Sequence, residues 1–122
     1  MIKFYVEPYE KTAFIPNKYP EIIQYEFNFK IIIDNKLYFE EEKFPLFEFL
    51  KVANDWKKRG TGSFEYVSIE TDDNPLISFI SQDKLNNLFL INSPWQLFEC
   101  KTAFTRTQLN KAIEDLNETF YN

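Results

Sequence analysis

The stretch from Phe64 to Glu99, FEYVSIETDDNPLISFISQDKLNNLFLINSPWQLFE, decides the fold. It contains four short apolar runs separated by clusters of Asp, Asn, Ser and Pro. Runs of this length, at hairpin spacing, are typical of β-strands and too short for helices. Apolar residues occupy both faces of the runs, which indicates strands that are covered on both sides. The stretch therefore predicts a four-stranded antiparallel meander.

Two strands are predicted before the meander, and a third segment could form a short opening strand. From Glu21 to Asp34, apolar and more polar residues alternate, which indicates a long half-buried strand. Asp34 and Asn35 then offer a turn before a second strand that ends in three consecutive glutamates. Ile2 to Val6 is the possible opening strand.

Two amphipathic helices are predicted, one on each side of the meander. The first begins near Pro45, carries basic residues in its last turn and ends at Gly60, a natural position for a residue in the left-handed conformation. The second begins at Thr105, which forms a capping box with Gln108. Their apolar faces comprise Leu46, Phe49, Leu50, Ala53 and Trp56 in the first helix, and Leu109, Ala112, Ile113, Leu116 and Phe120 in the second.

The predicted fold is a single α+β domain over residues 1–122, because this length suits one core. Its antiparallel sheet has five to seven strands and carries two amphipathic helices, in the order ββ-α-ββββ-α. Aromatic residues make up 19% of the chain, so the core is expected to be rich in them. The residues predicted to be buried are Phe27, Phe29, Ile31, Phe49, Leu50, Trp56, Phe79, Leu90, Leu109, Ile113 and Leu116.

The charge and the N-terminal sequence indicate a soluble cytoplasmic protein with a protein partner. The formal net charge is −5, which argues against binding to nucleic acid or to an anionic membrane and favours a basic partner. No apolar run is long enough to span a bilayer, and no signal-peptide pattern is present. One cysteine, Cys100, allows no internal disulfide framework and agrees with a reducing compartment.

The residue types present leave little room for catalysis. The chain has no histidine, one cysteine and two glycines, which excludes His-based triads, thiolate zinc sites and a glycine-rich phosphate loop. Carboxylate pairs remain the one route to an enzyme, through a glycosidase-type pair or a hard-cation site. Charge runs at strand ends are more often solvated, so we predict no enzyme, no catalytic or metal-binding residue, and no cofactor.

Two segments carry a resemblance to a known class of protein. Residues 73–80, DNPLISFI, and residues 93–99, SPWQLFE, together with the size, acidity and α+β layout, resemble small acidic immunity proteins encoded beside bacterial polymorphic or contact-dependent toxins. The resemblance implies a cytoplasmic protein that binds a cognate, basic toxin domain and blocks it without chemistry of its own. A self-associating structural module is the alternative, so the expected state is a monomer or a homodimer.

The resemblance points to an acidic surface as the partner-binding site. Such a surface could occupy the basic cleft of a toxin in place of the substrate backbone, and an exposed aromatic residue beside it would slow dissociation. Trp95 could be either a binding anchor or a core residue, and a core position is the more common one for Trp. The predicted partner-binding residues are Glu40, Glu41, Glu42, Glu70, Asp72 and Asp73, with Tyr38 and Tyr66 as the aromatic residues.

Overall fold

Alternating apolar residues build the first of two antiparallel sheets. In the computed structural model, which describes residues 1–8, 27–68, 71–85 and 87–121, strands β1 (Ile2–Pro8), β2 (Phe27–Ile33) and β3 (Lys36–Phe44) pair in the order β1-β2-β3. Every second residue of β2 is buried. The predicted long strand is confirmed from Phe27 to Ile33, and its residues 21–26 lie outside the described part of the chain.

The hairpin between β2 and β3 turns at the predicted residues but is irregular beyond the turn. Asp34 and Asn35 both have positive φ, 49° and 68°, the conformation that a tight two-residue hairpin turn requires. The register shifts twice along β3, once near Ile31 and once near Phe27, and Lys43 also has a positive φ of 57°. These bulges bend β3 and interrupt its alternation.

The meander forms a second sheet, with one strand in a different place from the prediction. Strands β4 (Phe64–Tyr66), β5 (Ile77–Ser81), β6 (Leu88–Asn92) and β7 (Phe104–Thr105) pair in that order. The fourth predicted strand, around residues 95–99, is wrong. That segment turns back at residues 93–96, and its Leu97 N–H donates to the Tyr38 carbonyl in β3 at 2.8 Å.

Both predicted helices are confirmed, together with their end signals. Helix α1 (Leu46–Arg59) ends at Gly60, whose φ is 72° and whose N–H donates to the Trp56 carbonyl at 3.1 Å. Helix α2 (Arg106–Tyr121) begins with the predicted capping box: Gln108 N–H donates to Thr105 Oγ1 at 3.1 Å, and Thr105 N–H donates to Gln108 Oε1 at 2.8 Å. Local capping chemistry therefore sets where each helix begins or ends.

One aromatic core joins the two sheets and α1. Phe49 of α1 lies at its centre, with its ring 5.3 Å from that of Phe29 in the first sheet and 5.9 Å from that of Phe64 in the second. Phe4 of β1 and Phe79 of β5 stack across the sheets at 6.5 Å. All residues predicted to be buried are buried except Leu90, which is half-buried because its neighbours Phe89 and Ile91 face inward.

The two helices contact each other through polar side chains. Asn54 and Asn117 exchange two hydrogen bonds between their amides, at 2.8 and 3.2 Å. Lys57 and Glu114 form an ion pair at 2.8 Å. Helix α2 also packs on β1 and β7, and α1 packs on β4. The α+β class and the seven strands found among the described residues agree with the prediction, but these strands form two sheets rather than one.

Candidate functional site

The segment between β4 and β5 carries one of the two predicted acidic clusters, and Asn74 links its described residues by hydrogen bonds. The Asn74 side chain accepts from Ser68 N–H at 2.9 Å and donates to the carbonyls of Ser68 and Thr71 at 2.9 and 2.6 Å. Asp73 N–H donates to Thr71 Oγ1 at 3.1 Å. The Asn74 side-chain amide thus satisfies backbone groups of Ser68 and Thr71, which lie outside β4 and β5. Asp72 and Asp73 are exposed to solvent.

Trp95 connects this loop to β3. Its indole N–H donates to Asp73 Oδ2 at 2.8 Å, and its ring stacks on Phe39 with 6.5 Å between centroids and 10° between planes. The side chain is half-buried. A pocket of about 110 Å³ opens beside it, with Glu41 and Lys43 of β3 on one wall and Thr71 on another. The indole therefore bridges two segments that are distant in sequence.

The structure brings one residue from each acidic cluster to the same place. Glu41 lines the Trp95 pocket, and Asp73 binds the Trp95 indole. Glu40 lies on the other side of β3, where it forms an ion pair with Lys30 at 3.6 Å. Glu42 and Asp72 are exposed. Glu70 lies outside the described residues. We name Glu41, Asp72, Asp73 and Trp95 the Trp95 patch.

The two tyrosines predicted to be exposed are both buried, so this part of the site prediction is wrong. The Tyr38 hydroxyl donates to Gln96 Oε1 at 2.6 Å, and its ring lies edge-on to Phe98 at 5.4 Å. The Tyr66 hydroxyl donates to Glu48 Oε1 at 3.2 Å, and Tyr66 packs against the central Phe49. Neither ring can contact a partner in this conformation. The aromatic residue that lies beside the acidic residues is the half-buried Trp95.

Burial of Tyr38 predicts a pH dependence of stability. Burial, with a smaller contribution from Cys100, raises the pKa of Tyr38 well above its ordinary value near 10. The folded state therefore keeps the phenol proton at a pH where the unfolded chain loses it. The free energy of unfolding should fall as pH rises above about 10, by up to about 1.4 kcal/mol per pH unit from this group.

Urea unfolding of the wild type and of Tyr38→Phe, at about pH 8 and about pH 11, measures this contribution. The variant should be less stable at the lower pH, because it lacks the hydrogen bond to Gln96, and should lose less stability between the two values. Equal losses in the two proteins would contradict the assignment.

Two further features are absent from the described part of the chain. No group of three or more His, Cys, Asp or Glu side chains there could hold a metal ion. No helix within those residues is long and apolar enough to cross a membrane.

Comparison with known proteins identifies a family. A family model described as a domain of unknown function (DUF7878) covers residues 2–122. No curated protein and no solved structure matches the chain.

Proposed function

This chain belongs to the DUF7878 family of domains of unknown function, and we propose that it acts by binding another protein, without chemistry of its own. The most specific form of the proposal is a cytoplasmic immunity protein that binds and neutralises a cognate bacterial toxin domain. The observation that carries it is the Trp95 patch, where Asp73 accepts a hydrogen bond from the half-buried indole and Glu41 of a second segment lines the adjoining pocket.

The composition of the Trp95 patch supports this proposal. Trp is among the residues most often found at the energetic centre of protein interfaces, especially when it is already held in place. Its hydrogen bond to Asp73 and its stacking on Phe39 hold it here. The carboxylates around it suit a basic partner, and such complementarity mainly raises the association rate and fixes partner choice. The net charge of −5 acts in the same direction.

The proposed inhibition is steric and electrostatic. Nuclease and other nucleic-acid-directed toxins present basic clefts to the phosphate backbone, and an acidic surface can occupy such a cleft in its place. In this proposal Glu41, Asp72 and Asp73 contact the basic cleft, and the exposed edge of Trp95 supplies the apolar contact that slows dissociation. Binding should weaken steeply as salt is added.

The experiment uses the toxin-like domain encoded by the neighbouring reading frame, purified without its native inhibitor. We expect the double variant Glu41→Lys and Asp72→Lys to associate with that domain at least about tenfold more slowly at low ionic strength, with little change in melting temperature. The matched control reverses two exposed charges elsewhere, Glu65→Lys with Glu99→Lys, and should associate more nearly as the wild type does. Association kinetics measured by surface plasmon resonance give the result.

Three outcomes would reject the proposal. Equal slowing in the control variant would mean that net charge, and not the Trp95 patch, governs association. A neighbouring toxin-like domain that shows no binding to the wild type, or a gene neighbourhood that lacks such a reading frame, would remove the toxin as the partner.

A self-associating module is the second candidate, and one observation favours it. The outer face of the second sheet exposes Ile80 and Leu88, at 44% and 39% of their surface, beside the half-buried Leu90. Neighbouring apolar residues on one sheet face are a common feature of interfaces. Light scattering at low and high protein concentration tests for self-association, because this candidate requires a mass that rises with concentration.

A further inference from the structure

Within the described residues, no strand pairs with the outer edge of β1. On its other edge, β1 pairs with β2. Asp34 N–H donates to the Met1 carbonyl at 2.9 Å, which makes that position a hydrogen-bonded pair of the antiparallel ladder. Because such pairs alternate, the N–H and C=O groups of Ile2, Phe4 and Val6 point away from β2. An edge of this kind is a template for another strand.

A groove lies beside β1, between this strand and α2. Residues 3–6 of β1 form one wall, and Ala112, Asp115 and Thr119, which share one face of α2, form the other. The groove has a volume of about 240 Å³. Short side chains on the helix wall keep it open. Tyr5, at its centre, is 48% exposed.

The exposed side chains of β1 are complementary to those of the same strand running in the opposite direction. Lys3, Tyr5 and Glu7 are all exposed and alternate along one face. In an antiparallel pair of β1 strands centred on Tyr5, each Lys3 lies opposite the Glu7 of the second copy. The same register sets Phe4 opposite Val6, and both have backbone groups that point outward. A register shifted to centre on Phe4 would place Lys3 opposite Tyr5 and lose both ion pairs.

We propose that two copies of this chain associate through β1, in the register centred on Tyr5, to form one continuous six-stranded sheet. Phe4 of each copy exchanges backbone hydrogen bonds with Val6 of the other, and two Lys3–Glu7 pairs flank the two-fold axis. Such an interface is isologous, since the same strand contributes both halves. Pro8 has no N–H and lies at the end of the pairing, which limits the strand to the residues before it.

Charge reversal and its rescue test this register. Analytical ultracentrifugation of the wild type should show a dimer that dissociates on dilution. Lys3→Glu and Glu7→Lys should each weaken the dimer at least about tenfold, because each creates two like-charge pairs across the strands. The double variant, Lys3→Glu with Glu7→Lys, restores opposite charges and should recover most of the lost affinity. Circular dichroism checks that each variant is folded.

Two control variants distinguish pairing through β1 from a general effect of net charge and from a dimer formed through the second sheet. Lys101→Glu changes the net charge as Lys3→Glu does, at an exposed position away from β1, and should leave the dimer unchanged. Ile80→Lys alters the outer face of the second sheet and should also leave it unchanged. The proposal is overturned if the wild type is monomeric at every concentration, or if the double variant fails to recover affinity. It is also overturned if Ile80→Lys abolishes the dimer and Lys3→Glu does not.

Discussion

Replacing Trp56 by alanine is expected to lower the free energy of unfolding by about 4 kcal/mol, which is enough to unfold many small domains. The side chain is 1% exposed and lies where α1 meets the second sheet. Its ring contacts Phe64, Phe79 and Phe89 with centroid separations of 5.9, 5.6 and 5.5 Å. Its indole N–H donates to the Gly62 carbonyl at 2.9 Å. Alanine would leave a large cavity and lose that hydrogen bond.

Urea unfolding followed by circular dichroism measures this loss. Trp56→Phe is the informative comparison, because it keeps an aromatic ring against the same neighbours and removes the hydrogen bond and part of the volume. We expect it to cost about half as much or less. Leu97→Ala, at a side chain that is 62% exposed, controls for removal of a large apolar residue and should have little effect. A Trp56→Ala variant as stable as Leu97→Ala would disprove the packing described for α1.

The side chain of Arg106, at the start of α2, also contacts the ring of Trp56. Its guanidinium lies 4.4 Å from the centroid of Trp56 and 5.0 Å from that of Phe89, and it donates to the Gly62 carbonyl at 3.2 Å. A positive charge in the first turn of a helix is unfavourable toward the helix dipole. The aromatic faces and the carbonyl offset that cost, and they fix the start of α2 against the end of α1.

Replacing Asn74 by alanine is expected to lower the free energy of unfolding by about 2 kcal/mol. The substitution removes three side-chain hydrogen bonds and leaves backbone groups of Ser68 and Thr71 without these partners. The position is in a loop, where truncation to alanine usually has little effect. A loss of this size would therefore report on the hydrogen bonds themselves. Thermal or urea unfolding measures it.

Two comparison variants show how much individual hydrogen bonds of this segment contribute to stability. Asn74→Asp keeps an acceptor for Ser68 N–H. In acid its carboxyl O–H can donate to one of the two carbonyls, so its loss of stability should be smaller than that of Asn74→Ala. Once ionised it has no donor and should be less stable beside both carbonyls. Thr71→Val removes only the acceptor for Asp73 N–H and should cost about 1 kcal/mol or less. If Asn74→Ala costs no more than Thr71→Val, the loop does not depend on the Asn74 amide.

Local signals account for the parts of the fold that the sequence predicted well. The ends of the helices follow from Gly60 and from the Thr105–Gln108 capping box, which act within a few residues of chain. Buried and half-buried residues alternate in β2 from Phe27 to Ile33 because successive side chains of a strand point to opposite faces. In each case the physical cause lies inside the segment, so a single sequence contains it.

The wrong predictions concern places where distant segments decide the structure. Tyr38 and Phe39 are consecutive and both buried, which a regular strand does not allow, because a register shift in β3 inserts an extra residue there. The environment of Trp95, which the sequence left open between a core residue and a binding anchor, likewise depends on Phe39 and Asp73, at separations of many residues along the chain. The apolar pattern predicts the fourth strand of the meander at residues 95–99, but Leu97 bonds to β3 instead. No local pattern specifies such partners.

The two edges of the first sheet differ, and the difference decides how large an assembly this chain can form. A sheet that accepts strands at both edges can add copies without limit and grow into a fibre. The edge at β3 is irregular, because β3 contains bulges and Lys43 has a positive φ. The Leu97 N–H already bonds to the Tyr38 carbonyl there, and the charged residues Glu40 and Glu42 lie along the same strand. In the proposed dimer, growth through β1 would therefore stop at two copies, and raising the concentration should give a plateau in mass rather than continuing polymerisation.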